Sequence, residues 1–189
     1  MDSLSVEPDD RRASLTRSAR AFATRCHGRQ RRFSDGAPFI EHPLEVAGLL
    51  RDADCSDVMI AAALLHDVVE DTDVSVAELR ALFGAAVAEL VEAVSDSAAV
   101  DDYRLRKQLL RGQVRDAGGD AALLFAADKI AKLRELPKLA ERDPVRQHEL
   151  RLEHYRASLA MLLQVAPGHP LVRRLASELR AADRPLSAR

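Results

Sequence analysis

Residues 62–73 (AALLHDVVEDTD) place four ionisable side chains at the end of an apolar run: His66, Asp67, Glu70 and Asp71. Positions three or four apart share one face of a helix, so His66 is expected over Glu70 and Asp67 over both acids. Burying an unpaired charge is costly, so such groups are normally paired, hydrated or bound to metal. A metal site is therefore one interpretation of this segment. A helix end with solvated acids is the alternative.

Two further residues have the chemistry of metal ligands. His42 precedes Pro43 at a predicted helix start, and Asp128 lies inside the apolar stretch 121–133 (AALLFAADKIAKL). A carboxylate in an apolar stretch needs a partner, which is either a metal ion or a salt bridge with a neighbouring cation. Lys129 and Lys132 are the cations that follow Asp128 along the chain. The residues alone leave both interpretations of Asp128 open.

Length and composition favour one soluble domain of ordinary type. The chain has 189 residues, of which 47% are hydrophobic and 31% charged, with a formal net charge of -2. This balance excludes the strongly basic class of general nucleic-acid binders. The longest apolar run, residues 58–65, is eight residues long, whereas a membrane-spanning helix needs about 20. We expect a cytoplasmic protein with neither nucleic acid nor membrane as partner, and the oligomeric state is left open.

The first residues, MDSLSVEPDDRR, are polar and acidic and do not have the pattern of a signal peptide. Cys26 and Cys55 lack the CxxC spacing of metal or redox sites. In a cytoplasmic protein we expect both as free thiols, and a disulfide between them is the alternative.

Apolar residues recur at helical spacing along the chain, and no segment alternates with period two. We predict an all-α fold of about nine or ten helices in one domain, residues 13–183. Flexible termini are predicted at 1–12 and 184–189. Ser75 and Glu78 form a capping-box pattern, Gly84 is a helix end, and Pro137 is a helix stop. The main predicted helices are 14–26, 43–51, 56–66, 75–83, 85–94, 101–115, 121–136, 144–165 and 169–182.

The combination of a His, a His-Asp doublet and a distant Asp resembles the HD superfamily of metal-dependent phosphohydrolases. More closely, residues 16–139 resemble the hydrolase domain of RelA/SpoT-type alarmone enzymes and their small stand-alone relatives. Blocks that match in order are CHGRQRR (26–32), PFIEHPLEVA (38–47), AALLHDVVEDTD (62–73) with its continuation to 96, and ADKIAKLREL (127–136). The His-Asp-x-x-Glu-Asp segment is fairly specific to this branch, because other HD hydrolases generally lack the following Glu-Asp. The resemblance implies an HD-type helical bundle.

The resemblance also implies one divalent metal ion per chain, with four ligands: His42, His66, Asp67 and Asp128. Mixed nitrogen and oxygen ligands suit Mn²⁺, which is the expected ion. The implied reaction is hydrolysis of the 3′-pyrophosphate of guanosine 3′,5′-bis-diphosphate (ppGpp or pppGpp), and adenosine analogues are further candidate substrates.

Catalytic and substrate-binding roles follow from the same resemblance. Glu70 and Asp71 would orient the attacking water and act as general base and acid. Arg32 would lie against the nucleobase, because a planar guanidinium stacks well on a purine. We assign Lys129 and Lys132 to substrate binding as well.

Among the departures from the family pattern are Lys132 and Phe39. Lys132 stands where the family has an Asn that helps to hold the nucleotide, and Phe39 stands where it has a Tyr. Lys132 either grips a phosphate or points to solvent with its stem packed. This leaves an alternative enzyme, a phosphatase of another nucleotide such as the 2′-phosphate of NADPH. A nucleotide-binding regulator or antitoxin without turnover is a third hypothesis, and the intact Glu70 and Asp71 argue against it.

Overall fold

The computed structural model describes residues 8–140, 142 and 144–182. Over these residues the chain is helical, and the predicted all-α class is confirmed. An isolated antiparallel bridge joins Arg31 and Pro38 in the loop before the second helix. Ten helices lie in the described part of the chain: α1 Pro8–Cys26, α2 Glu41–Arg51, α3 Asp57–Leu65, α4 Val68–Asp71, α5 Val76–Phe83, α6 Ala85–Val94, α7 Tyr103–Ala117, α8 Gly119–Ala140, α9 Val145–Val165 and α10 Pro170–Ala182.

Helices α3 and α8 form the centre of the bundle. Helix α3 (DVMIAAALL) has no polar face beyond its first turn, and its residues from Met59 to Leu65 are all buried. A helix that is apolar all round must be enclosed, and α3 packs against α1, α2, α6 and α8. Helix α8 in turn packs against α2, α7, α9 and α10. The C-terminal end of α3 and the middle of α8 therefore meet α2 inside the bundle.

Local signals at several helix ends act as the sequence predicts. The Ser56 hydroxyl caps α3 by accepting the Met59 N–H at 3.3 Å. The capping box at α5 is complete, because the Ser75 hydroxyl accepts the Glu78 N–H and the Glu78 carboxylate accepts the Ser75 N–H at 2.9 Å. Gly84, with φ of 88°, lies between α5 and α6, a backbone conformation that favours glycine.

Two predicted boundaries are wrong. Helix α1 begins at Pro8 rather than at Ser14, because the backbone of proline suits the first turn of a helix. Helix α8 continues through Pro137 to Ala140. A proline inside a helix costs about 3 kcal/mol, and burial of Leu136 and the packing of α8 on its neighbours offset it. Residues 1–7 and 184–189 of the predicted flexible termini lie outside the described residues, as does residue 183, the last residue of the predicted domain.

Two observations concern the membrane and thiol predictions. Among the described residues no helix is long and apolar enough to cross a membrane. Cys26 and Cys55 are both free thiols, as predicted, and both are partly buried.

Candidate active site and metal centre

The His-Asp doublet lies at a break between two helices. Helix α3 ends at Leu65, His66 is its C-cap, and Asp67 precedes the single turn of α4 with φ of −89° and ψ of −7°. Residues 66–71 thus do not form one continuous helix, although the Asp71 N–H donates to the Asp67 carbonyl at 3.0 Å with the expected helical spacing. Both side chains of the doublet face α2 and α8, because Asp67 contacts His42 and Lys132, and His66 contacts His42 and Asp128.

The structure brings all four predicted metal ligands together. His42 Nε2 lies 3.1 Å from Asp128 Oδ1 and 3.5 Å from Asp67 Oδ2. His66 Nε2 lies 3.2 Å from Asp67 Oδ2 and 3.6 Å from Asp128 Oδ1. All four residues are buried, at 5% exposure or less. Ligand atoms of three of them, His42, His66 and Asp128, lie within 4.8 Å of one another.

Two atoms of this cluster are buried without a hydrogen-bonding partner: His66 Nε2 and Asp67 Oδ2. His66 Nδ1 lies 2.7 Å from the carbonyl oxygen of Ala63. A carbonyl can only accept, so the imidazole proton is on Nδ1 and the Nε2 lone pair faces the cluster. Each unsatisfied buried polar atom costs about 1–3 kcal/mol. A divalent cation would satisfy both atoms, and two imidazoles with two carboxylates suit such an ion.

Electrostatics keep both carboxylates of the cluster ionised. Burial by itself would raise the pKa of Asp128, but Lys129, Lys132 and the contacts with the two histidines hold that pKa well below its usual range. Burial opposes ionisation of Asp67 as well, and the neighbouring His66, Lys132 and His42 lower its pKa. Ionised carboxylates are the form in which these side chains bind metal.

The pKa of His42 responds to the same charges. Burial alone would lower it, but contacts with Asp128 and Glu135, and the charge of Asp67, raise the pKa of His42 to about 9. A metal ligand must be the neutral imidazole. A cation at this site therefore competes with a proton on His42.

Lys129 and Lys132 lie on opposite sides of Asp128. Lys129 is 3% exposed, and its Nζ lies 2.5 Å from Asp128 Oδ2 and 4.2 Å from the ring centre of Phe125. Lys132 Nζ lies 3.0 Å from Asp128 Oδ1 and 4.0 Å from Asp67 Oδ1, and its side chain is 38% exposed. Lys132 thus lies at the open side of the cluster, whereas Lys129 is enclosed behind it.

Glu70 and Asp71 lie on α4 at the rim of the cluster, and both residues are partly open to solvent. Glu70 Oε1 accepts the Asp96 N–H at 2.7 Å. The surrounding protein desolvates both carboxyls and raises their pKa values, and the charge of Asp67 adds to this effect. Two carboxyls with raised pKa values beside the proposed metal ligands suit proton transfer.

The guanidinium of Arg32 is held along its edges by three carboxylates. Asp35 takes two contacts, at 2.7 and 3.2 Å, and Glu41 and Glu135 take one each, at 3.2 and 3.3 Å. The Arg32 side chain is 11% exposed. Ion pairs with carboxylates therefore fix the orientation of this guanidinium.

Sequence reasoning missed three residues of this region. Asp96 binds Glu70 through its N–H and pairs with Lys107 and, at 3.5 Å, with Arg106. Gln30 Nε2 donates to the backbone carbonyl of Asp71 at 2.8 Å. Glu135 lies on α8 between Arg32 and His42.

The sequence could have pointed to these three residues, because all of them lie within or at the end of the blocks 26–32, 77–96 and 127–136. Glu135 also follows Asp128 by seven residues, which is two helical turns and hence the same face.

The chain is similar to known proteins over most of its length. Residues 19–161 match the family model described as HD domain. The human guanosine-3′,5′-bis(diphosphate) 3′-pyrophosphohydrolase MESH1 is 42% identical over 118 residues, which are 61% of this chain and 65% of the human protein. A probable enzyme of the same name from Synechocystis sp. is 57% identical over 74 residues, 39% of this chain and 10% of that protein. The alignments thus span less than two thirds of both relatives.

The fold is also similar to a solved structure. A metazoan ortholog of SpoT, described as hydrolysing ppGpp and as having a role in starvation responses, superposes with a TM-score of 0.80. The match has 26% sequence identity and covers 90% of this chain and 96% of that one. The agreement extends well beyond the ligand-bearing helices α2, α3 and α8.

Proposed function

We propose that this chain, which belongs to the HD-domain family, is a metal-dependent hydrolase that removes the 3′-diphosphate of guanosine 3′,5′-bis-diphosphate. The observation that carries the proposal is the buried cluster of two histidines and two aspartates with two unsatisfied ligand atoms. The substrate class is supported by what the human relative and the solved SpoT ortholog are described as hydrolysing.

The residues His42, His66, Asp67 and Asp128 would hold the metal, for which we propose Mn²⁺. A divalent ion there would lower the pKa of water and neutralise charge on the phosphoryl group. The protein's own contribution is to fix the ligands: the Ala63 carbonyl orients His66, and Lys129 holds the outer oxygen of Asp128.

Proton transfer is assigned to α4. Glu70 has one oxygen occupied by the Asp96 N–H, and its other oxygen is available to accept a proton from the attacking water. Water attacks the phosphorus that is bonded to the 3′-oxygen, the P–O3′ bond breaks, and the 3′-oxygen receives a proton from Asp71. The products are pyrophosphate and guanosine 5′-diphosphate. The raised pKa values of both carboxyls suit one group that accepts and one that donates.

Substrate binding is assigned to Arg32 and Lys132. Arg32 would stack on the purine with a face of its guanidinium, because its edges are already held by carboxylates. Stacking does not distinguish guanine from adenine, so adenosine analogues remain candidate substrates. Lys132 lies at the open side of the cluster and would meet a phosphate. The burial of Lys129 and its pairing with Asp128 favour a role through Asp128 rather than on the nucleotide.

The test is turnover of ppGpp by purified protein with Mn²⁺, followed by anion-exchange chromatography. We expect equal amounts of pyrophosphate and guanosine diphosphate, and loss of at least about 100-fold in rate for Asp67→Ala. Asp73→Ala is the matched control, because Asp73 is an exposed acid in the same segment. Its rate should stay within about threefold of the parent. Mn²⁺ binding without turnover would contradict the proposed substrate.

Lys132 favours a second candidate substrate, a nucleotide with a terminal phosphate such as the 2′-phosphate of NADPH. Its ammonium is close to the metal ligands, where relatives of the RelA/SpoT type have a neutral amide. We expect Lys132→Asn to shift the ratio of kcat/KM for ppGpp over NADPH by about tenfold or more toward ppGpp. Lys138→Asn, an exposed lysine on the same helix, is the control. An unchanged ratio would remove Lys132 from substrate selection.

A further inference from the structure

We infer that Glu135 is a positioning residue that orients the metal ligand His42 and holds the Arg32 loop to it, an inference that rests on the proposed function. Glu135 Oε1 lies 3.7 Å from His42 Nδ1 and 3.3 Å from Arg32 Nη1. Its other oxygen accepts the Ser34 hydroxyl at 3.1 Å. One carboxylate therefore contacts a metal ligand and two residues of the loop before α2.

The helical register of α8 places Glu135 beside the metal ligands. Asp128, Lys132 and Glu135 are at positions i, i+4 and i+7, which form one stripe along a helix. Asp128 contacts Nε2 of His42, and Lys132 contacts Oδ1 of Asp67. Glu135, one turn further on, contacts the opposite nitrogen of the His42 ring.

This placement orients the His42 ring. Nε2 faces Asp67 and Asp128, so Nε2 is the atom that would bind metal. A negative charge beside Nδ1 favours the proton on that nitrogen and orients the ring so that Nε2 faces the other proposed ligands. At 3.7 Å the contact is electrostatic rather than a short hydrogen bond. The neutral backbone carbonyl of Ala63 orients the His66 ring in the same way.

Glu135 contacts several residues of the site at once. The same oxygen that faces His42 also pairs with Arg32, and Ser34, which is 4% exposed, binds the second oxygen. One half-buried side chain thus contacts both the loop that would hold the nucleobase and the imidazole that would hold the metal. Because Glu135 contacts His42 and Arg32, we assign its effect to the positions of these two residues.

The experiment measures Mn²⁺ binding by isothermal titration calorimetry, which needs no turnover. We expect Glu135→Gln to raise the Kd for Mn²⁺ by about tenfold or more, as loss of an outer partner of a metal ligand usually does. At saturating Mn²⁺ the kcat should return to within about threefold of the parent, while KM stays raised because Arg32 has lost a partner. A side chain that only supports the fold would not separate these quantities.

Glu45→Gln is the matched control. Glu45 lies on α2, and it pairs with Arg134 of α8 at 2.7 Å, one residue before Glu135. It therefore joins the same two helices without contacting His42. We expect its Mn²⁺ Kd to equal that of the parent. Should Glu135→Gln not fold, Glu135→Asp keeps the charge at a greater distance and should give an intermediate Kd.

Three results would overturn the inference. The first two are an unchanged Mn²⁺ Kd in Glu135→Gln and an equal increase of that Kd in Glu45→Gln, which would show that helix docking is what matters. A parent protein that binds no Mn²⁺ would overturn it as well. A parent that binds Mn²⁺ but leaves ppGpp intact would contradict the proposed function alone, because the comparison of Kd values still decides the role of Glu135.

Discussion

Glu70→Gln should lower kcat for ppGpp hydrolysis by about 100-fold to 10,000-fold and leave the Kd for Mn²⁺ unchanged. Glutamine keeps the size of the side chain and the oxygen that accepts the Asp96 N–H, but it cannot accept a proton from water. Glu70 is also not among the four residues of the metal cluster. Steady-state kinetics with Mn²⁺ calorimetry on the same preparation separate the loss of a base from the loss of metal.

Glu89→Gln is the control for this prediction. Glu89 lies on α6, where its exposed side chain pairs with Arg80 at 2.9 Å, and exposed pairs of this kind contribute little. Its kcat should be unchanged. A kcat for Glu70→Gln within about threefold of the parent would assign the base to Asp71 instead.

The pH profile gives a second readout of the same group. Burial raises the pKa of Glu70 above its ordinary value of 4.5. A base must be ionised to accept a proton, so kcat/KM should rise as pH increases through this raised pKa and fall as pH decreases through it. The acid limb of the parent should therefore lie above pH 4.5, and Glu70→Gln should lose the part of the limb that Glu70 contributes.

Lys129→Met should lower the free energy of unfolding by about 3 kcal/mol in the absence of metal. The change leaves the buried Asp128 carboxylate without the ammonium that lies 2.5 Å from its outer oxygen. Removal of one partner of a buried ion pair lowers the free energy of unfolding more than removal of an exposed pair does. The reason is that the remaining charge is left unpaired where solvation is poor. Lys132 still contacts the other oxygen of Asp128, so the loss belongs at the low end of the range. Urea unfolding with chelator present measures it.

Lys138→Met is the matched control on the same helix. Lys138 is 55% exposed and pairs with Asp35 at 2.8 Å, so its loss should cost about 0.5 kcal/mol or less. Equal losses for the two variants would mean that the pair of Lys129 and Asp128 does not stabilise the fold.

The shifted pKa of Lys129 also predicts that the free energy of unfolding depends on pH. Burial lowers the pKa of Lys129 from 10.5 to about 8, against the attraction of Asp128. Between these two values the unfolded chain binds a proton that the folded chain lacks. The contribution of Lys129 to the free energy of unfolding should therefore rise with pH from about 8 to 10.5 and be absent from Lys129→Met.

Local patterns in the sequence determined the helical class and many helix ends. Apolar residues at helical spacing predict helices because one face must be buried, whatever the neighbours are. The capping box of Ser75 and Glu78 and the turn at Gly84 depend on atoms only a few residues apart, so they form as predicted. The residue types and spacing of the His-Asp doublet, together with the family resemblance, likewise single out the four candidate ligands without any knowledge of helix packing.

Tertiary structure decided what these residues contact. Asp128 joins His42 across 86 positions of sequence, and such a meeting depends on how α2, α3 and α8 pack. Lys129 and Lys132 are indistinguishable as cations after Asp128, yet one is enclosed and the other lies at the open side. Helix α8 continues through Pro137 because burial of the helix outweighs the local cost of the proline. A sequence pattern registers only that local cost. The sequence by itself thus determined which side chains have the chemistry, and the packing of distant helices decided which of them share one site.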